Sequence, residues 1–199
     1  MNTKPYHHGD LRAVIIEKGI EFINEHGAKS LSLRKIAAAC GVSHSAPYSH
    51  FANKDELFSA IQDYITDKFA AALKESVKDT GETLQGLLNM SCAYIAFFAK
   101  NTEYFDFLFS RSTITAGGED AYEPYDFYAD FLKKMFENIN YPMELRKKGS
   151  YAQWAMIHGI AAIGVMSCRD KNPKMIKYWE AQARDMLSNN YVITSQKDF

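Results

Sequence analysis

Residues 40–57 read CGVSHSAPYSHFANKDEL. Gly41 offers a turn, Ser43 an N-cap, and the residues after it a helix to about Phe51, yet Pro47 stands inside that span. Proline removes a backbone donor and collides with the carbonyl four residues back, at about 3 kcal/mol in a helix interior. With Ser43 as cap, Pro47 falls at the fourth helical position. Only the first intrahelical bond is then lost, the one to the cap's own carbonyl. The stretch predicts a short helix whose first turn is tight or 3₁₀-like. Asn53 then caps a long helix, with Asp55 and Glu56 in a first turn where the helix dipole favours acids.

Working outward, helix signals run nearly end to end and no segment reads as a strand. Asp10 caps a helix through about His26, its apolar stripe running through Leu11, Ile15, Ile16, Ile20 and Phe22. Ser32 caps Leu33–Cys40, which Gly41 closes. Beyond the long helix at 53–79, helices are expected at about 82–100, 102–110, 120–139, 143–170 and 173–190. Their breaks are Asn101, Thr115-Ala116-Gly117-Gly118, Tyr141-Pro142 and Asn172-Pro173. The fold class is all-α, with about nine helices: a three-helix head at 1–53 and a helical body at 54–199.

The chain has 199 residues, 47% apolar and 24% charged, a globular composition. No apolar run reaches the ~20 residues of a membrane helix, and MNTKPYHHGDLR lacks the apolar core of a signal peptide. Cys40, Cys92 and Cys168 stand far apart, in no metal-like spacing, so no metal or cofactor is expected and a reducing cytoplasm is. Net charge is −1 overall, but residues 1–60 hold seven Lys and Arg against six Asp and Glu, with five of the six histidines. That makes the head the better partner for a polyanion, although it lacks a strongly basic footprint.

A short helix, a glycine turn and a third helix form the DNA-binding helix-turn-helix pattern. Ala37 lets the two helices approach, and Ile36, Cys40, Val42, Tyr48 and Phe51 are expected on the buried side. His44, Ser45, Ala46 and Ser49 are left outward, small or polar groups suited to a major groove. The stretch LSLRKIAAACGVSHSAPYSHFANKDELFSAI, residues 31–61, strongly resembles the N-terminal domain of TetR-family transcriptional regulators. Its Ala-Pro-Tyr departs from the family's commoner Leu-Tyr and resembles one subgroup. That subgroup's opening Tyr-His-His-Gly-x-Leu-Arg is matched at Tyr6–Arg12, and its Trp-His-Gly body at Trp154, His158 and Gly159.

The resemblance implies DNA contacts residue by residue. Tyr48 and His50 match phosphate donors, and Lys54 opens the fourth helix, where a helix N-terminus and an ammonium favour phosphate. Ser43, His44, Ser45, Ala46 and Ser49 lie on the reading turn. Arg34, on the preceding helix, is placed to reach a guanine edge. Lys4 and the Tyr6-His7-His8 arm are candidates for the backbone or minor groove.

Aromatic residues crowd the chain between Tyr94 and Phe136, and such crowding suits either a core or a small-molecule pocket. The resemblance implies a pocket for an apolar or aromatic effector, with Phe97, Phe98, Phe105, Phe127, Phe131 and Trp154 as candidate walls. It also implies a homodimer built from the last two long helices, with Ala155, Gly159, Ala162, Ile163, Met175, Trp179, Ala183 and Met186 at the interface. Two recognition helices about one DNA turn apart would then read a palindrome. His158 reads as a satisfied core histidine or a bundle residue rather than a ligand group.

The expected function is a ligand-responsive transcriptional regulator, most simply a repressor, in which a tilt of the 53–79 helix would change the separation of the heads. No nucleophile elbow, phosphate loop or metal motif suggests an enzyme. The competing reading is a helical protein-interaction adaptor without specific DNA binding.

Overall fold

Ile15, Ile16 and Ile20 form the buried face of α1 (Leu11–His26) in the computed structural model, which describes residues 11–109 and 123–189. The Tyr6–Gly9 arm and the Thr115–Gly118 break lie outside those residues. Eight α-helices are described, with no strand among the described residues.

The chain divides into two compact units, Met1–Ile65 and Thr66–Phe199. In the first, α1 crosses α2 (Leu33–Cys40) and the first half of α3 (Lys54–Val77). Gly19 on α1 permits the approach of α3: a Cβ there would stand 2.9 Å from Cδ1 of Ile61. Tyr64 on α3 donates to Glu17 on α1 at 2.8 Å.

The ends of α2 follow from its sequence. Ser32 has extended backbone, and its hydroxyl accepts the Lys35 N–H at 3.3 Å. Gly41 adopts left-handed backbone (φ 67°), while Val42 N–H returns to Ala37 O at 3.0 Å and Gly41 N–H to Ala38 O at 3.1 Å. These two bonds are a Schellman closure, which glycine allows at no steric cost. Asn53 caps α3 as expected, accepting the Glu56 N–H at 2.9 Å, and the Glu56 carboxylate takes the Ala52 N–H at 2.6 Å.

The expected third helix is where structure and sequence part. Ser43 to Phe51 forms no α-helix; a 3₁₀ turn at Ala46–Ser49 stands in its place. Ala46 N–H bonds Ser43 O, Tyr48 N–H bonds Ser45 O and His50 N–H bonds Pro47 O, all three residues apart. Pro47, with no N–H to give a four-residue ladder, leaves the tighter pattern as the way to satisfy these carbonyls. Ser43 therefore contributes its carbonyl but no side-chain cap, its hydroxyl lying 3.2 Å from that of Ser45.

In the second unit, α4 (Leu84–Lys100) is central and packs against α7 (Met143–Cys168) and α8 (Pro173–Asn189). Short α5 (Thr102–Phe109) and α6 (Glu123–Asn138) complete it. Phe69, Leu73, Leu87, Met90, Phe98, Leu132, Phe136 and Ile157 are buried together with little or no exposure. Glycines mark the close crossings. Gly149 on α7 would bring a Cβ to 3.1 Å from the Phe136 ring, and Gly164 to 3.5 Å from that of Trp179.

Candidate nucleic-acid interface

Leu33, Ile36 and Ala37 turn α2 inward, which leaves Arg34 exposed on the opposite face. No hydrogen bond or ion pair holds Arg34 among the described residues. Its basic neighbours are engaged: Lys35 donates to Ser30 O at 2.9 Å, and Lys54 to Lys29 O at 3.3 Å while lying over the Phe58 ring at 5.2 Å. An unengaged guanidinium keeps its fork of donors for an acceptor pair.

The 3₁₀ turn is anchored by Pro47 and Phe51, both buried. Phe51 N–H also reaches Pro47 O at 3.0 Å, and the Arg12 guanidinium covers the Phe51 ring at 5.3 Å. Tyr48, expected to share the buried side, is instead 56% exposed. A 3₁₀ turn advances each residue by a third of a turn rather than 100°, and here the proline ring takes the inward place. Ser43, His44, Ser45 and Ser49 are exposed, and Ala46 and His50 are half-buried. Ser49 caps back onto Ala46 O at 2.7 Å. Arg34 and the outward residues of the turn thus lie on two consecutive elements of the head, offering hydrogen-bond donors and small groups. Lys54, with Asp55 and Glu56 beside it, is a less open phosphate site than its sequence position suggests, because its amine and the adjacent N–H groups already have acceptors.

In the body, four of the six candidate pocket aromatics form one ring cluster. Phe98 meets Phe97 and Phe105 at 5.2 Å between centroids. Phe105 stacks on His158 at 5.1 Å, as Trp154 does from the other helical turn at 4.9 Å. Phe127 instead lies under the Lys74 ammonium at 5.8 Å, and Phe131 is buried against Gly86. His158 is half-buried and satisfied: its Nδ1 pairs with the Tyr94 hydroxyl at 2.9 Å, and burial holds its pKa below the usual 6.5. None of the six aromatics lines the open cleft of about 400 Å³ bounded by Ser76, Asn89, Cys92, Ala93, Ala96, Glu180 and Arg184. Burial raises the Cys92 thiol, opposed by Arg184.

Sequence reading passed over the body's buried polar groups. Five buried side-chain polar atoms lack a hydrogen-bond partner among the described residues: Ser91 Oγ, Tyr128 OH, both amide atoms of Gln153, and Trp179 Nε1. Four of the five belong to one cluster, where the Tyr128 hydroxyl faces Ser91 and Gln153 without any of them closing a bond of normal geometry. Each such group costs on the order of 1–3 kcal/mol. A serine or glutamine within a helix looks like a solvated residue, and the only available signal was Gln153 four residues before Ile157 on an inward stripe.

The proposed dimer stripe divides in two. Ala155, Gly159 and Ile163 are exposed on α7, as is Met166, and Ala162 is half-buried. On α8, Trp179 and Ala183 face inward: Trp179 packs with Ala99 and Cys168, and half-buried Met175 and Met186 cover the same cluster. Small residues on α7 and bulky ones on α8 thus meet each other within the chain, through Gly164 and Trp179.

The family described as bacterial regulatory proteins, tetR family, matches residues 15–61. The nucleoid occlusion factor SlmA of Cronobacter sakazakii is 31% identical over 75 residues, which span 38% of this chain and 38% of that protein. Among solved structures, a Rhodococcus protein of unknown function aligns with a TM-score of 0.70 at 22% identity, covering 95% of this chain and 100% of its own. The transcriptional regulator FadR of Bacillus subtilis, in complex with stearoyl-CoA, aligns with a TM-score of 0.66 at 14% identity, covering 88% and 97%. At those identities the two structures establish a shared fold.

Proposed function

We propose that this chain, whose residues 15–61 match the tetR family of bacterial regulatory proteins, is a ligand-responsive transcriptional repressor that binds a palindromic operator as a homodimer. The observation that carries this reading is the pairing of Arg34, exposed and with no hydrogen bond or ion pair among the described residues, with an outward Tyr48 on a turn whose other side is anchored by Pro47 and Phe51. Arginine supplies base recognition and the tyrosine hydroxyl a phosphate contact. The exposed α7 stripe of Tyr151, Ala155, Gly159, Ile163 and Met166 recurs at three- and four-residue spacing and supports an isologous helix-to-helix interface. Effector binding in the body weakens operator binding, and by linkage the operator weakens effector binding to the same degree.

Selection of bound fragments from a random duplex pool tests the reading, followed by titration of the winner across a salt series. Enrichment of an inverted repeat with nanomolar affinity supports it; binding that is equally strong to every duplex counts against it. A second reading, a protein-interaction adaptor, draws on the same exposed α7 stripe and on a head of nearly balanced charge. It predicts dimerisation with no duplex affinity even at low salt.

A further inference from the structure

Resting on the reading of the body as ligand-binding, we propose that Ser91, Tyr128 and Gln153 form the polar end of its effector site, and that this end takes a neutral head able to both donate and accept a hydrogen bond: an alcohol or a primary amide on an apolar frame. The three residues come from α4, α6 and α7, and all are buried. The glutamine amide offers a carbonyl acceptor and two N–H donors, and each hydroxyl offers both functions. Four atoms of this inventory, concentrated at one place, have no partner among the described residues. One turn away on each helix the neighbours are apolar and buried: Leu87 on α4, Phe131 on α6 and Ile157 on α7.

The absence of charge among the described residues around this cluster decides the ligand class. Burial raises the Tyr128 pKa, opposed by Ser91 and Gln153, and no charged side chain among the described residues contributes. A carboxylate, phosphate or ammonium head would lose its hydration and meet no counter-ion. A pure hydrocarbon would leave the four atoms as they are. An alcohol or amide answers both constraints, and a site built for a hydroxyl or amide discriminates strongly against the analogue that lacks it.

The test uses the full chain without DNA and two ladders of probes sharing a frame. One ladder holds 3-phenylpropanol, 3-phenylpropanamide, 3-phenylpropanoate and propylbenzene; the other holds hexyl to decyl chains bearing the same heads. Calorimetric titration should give at least tenfold tighter binding of an alcohol or amide than of the carboxylate and hydrocarbon on the same frame. Tyr128→Phe and Gln153→Leu should each remove that preference. Ser91→Ala and Tyr128→Phe should fold with melting temperatures no lower than the parent chain, since each deletes an unpartnered group. Equal binding of the carboxylate, failure of every alcohol and amide, or variants that keep the preference would overturn the proposal. So would a clear drop in melting temperature for Tyr128→Phe with head-group preference unchanged, which marks a cluster satisfied by a structural water. Operator affinity, measured separately, keeps the two ideas apart. A carboxylate that binds best and releases DNA sinks this proposal alone. An alcohol that binds selectively without altering operator affinity leaves it standing and counts against ligand control.

Discussion

The hydroxyl of Tyr94 on α4 lies 2.9 Å from Nδ1 of His158 on α7. Phe105 and Trp154 stack on the imidazole, and Phe109 meets it edge-on at 4.5 Å. Burial in this cage lowers the histidine's pKa from 6.5, so the folded protein favours neutral imidazole.

Stability should depend on pH accordingly. The contribution of His158 is fully present above about pH 6.5, the unfolded value. It is lost as pH falls from there through the lower folded value, because the unfolded chain takes up the proton first. In paired melts at pH 7 and pH 5, the parent chain should lose more than His158→Asn, which keeps a polar atom near Tyr94 but cannot titrate. Equal losses would remove His158 from the account.

Gly86 should resist even alanine. Alanine is the better helix former by about 1 kcal/mol, but a Cβ at Gly86 would stand 2.0 Å from the Gly81 carbonyl oxygen and 3.0 Å from Cζ of Phe131. Gly86→Ala should cost about 1–3 kcal/mol in urea unfolding, as overpacking does. A gain in stability would contradict the packing described for α4.

Replacing Pro47 separates the turn's geometry from its burial. Pro47→Ala restores a donor to Ser43 O and loses a buried ring, and it also loosens the unfolded chain. The expected change is a loss of about 1–2 kcal/mol together with altered operator preference in a repeated fragment selection. Unchanged preference would show that the 3₁₀ turn does not set what the head reads.

Arg34 and Lys54 should act differently on DNA. Arg34→Ala should relax the preference at one base-pair position by about 1–3 kcal/mol and leave the melting temperature unaltered. Lys54→Ala should weaken all duplexes alike and reduce the salt slope by about one, with a small loss of stability from its bond to Lys29 O. An Arg34→Ala chain with intact selectivity would move base reading onto the turn alone.

Ile163, 55% exposed, and Met166, 72% exposed, sit on the open face of α7. Ile163→Glu places a carboxylate where a symmetric partner would bury it twice. Sedimentation velocity should show a monomer with unchanged far-ultraviolet circular dichroism. A dimer that persists would place the interface elsewhere.

Much of this molecule is local and was legible as such. Ser32 before Leu33, Asn53 before Lys54 and Gly41 after Cys40 specify helix ends, because a cap involves only backbone groups within about four residues. The 3.6-residue period gave α1, α2 and the body helices nearly their observed spans. Pro47 announced a tight turn for the same reason: the lost donor belongs to its own backbone.

Facing was another matter. Tyr48 points outward because the proline ring fills the inward place, and Trp179 and Ala183 turn inward because Gly164 lets α8 approach α7. Both outcomes depend on which surfaces meet, which one helix's pattern does not record. The convergence of Ser91, Tyr128 and Gln153 is the clearest case. Each looks unremarkable on its own helix, and they become a polar cluster only when α4, α6 and α7 pack together. Outside the Ser43–Phe51 stretch, the sequence by itself determined nearly where the described helices begin and end, since those are short-range hydrogen bonds. Tertiary packing alone decided which residues are buried together, since that is a contest among faces far apart in the chain.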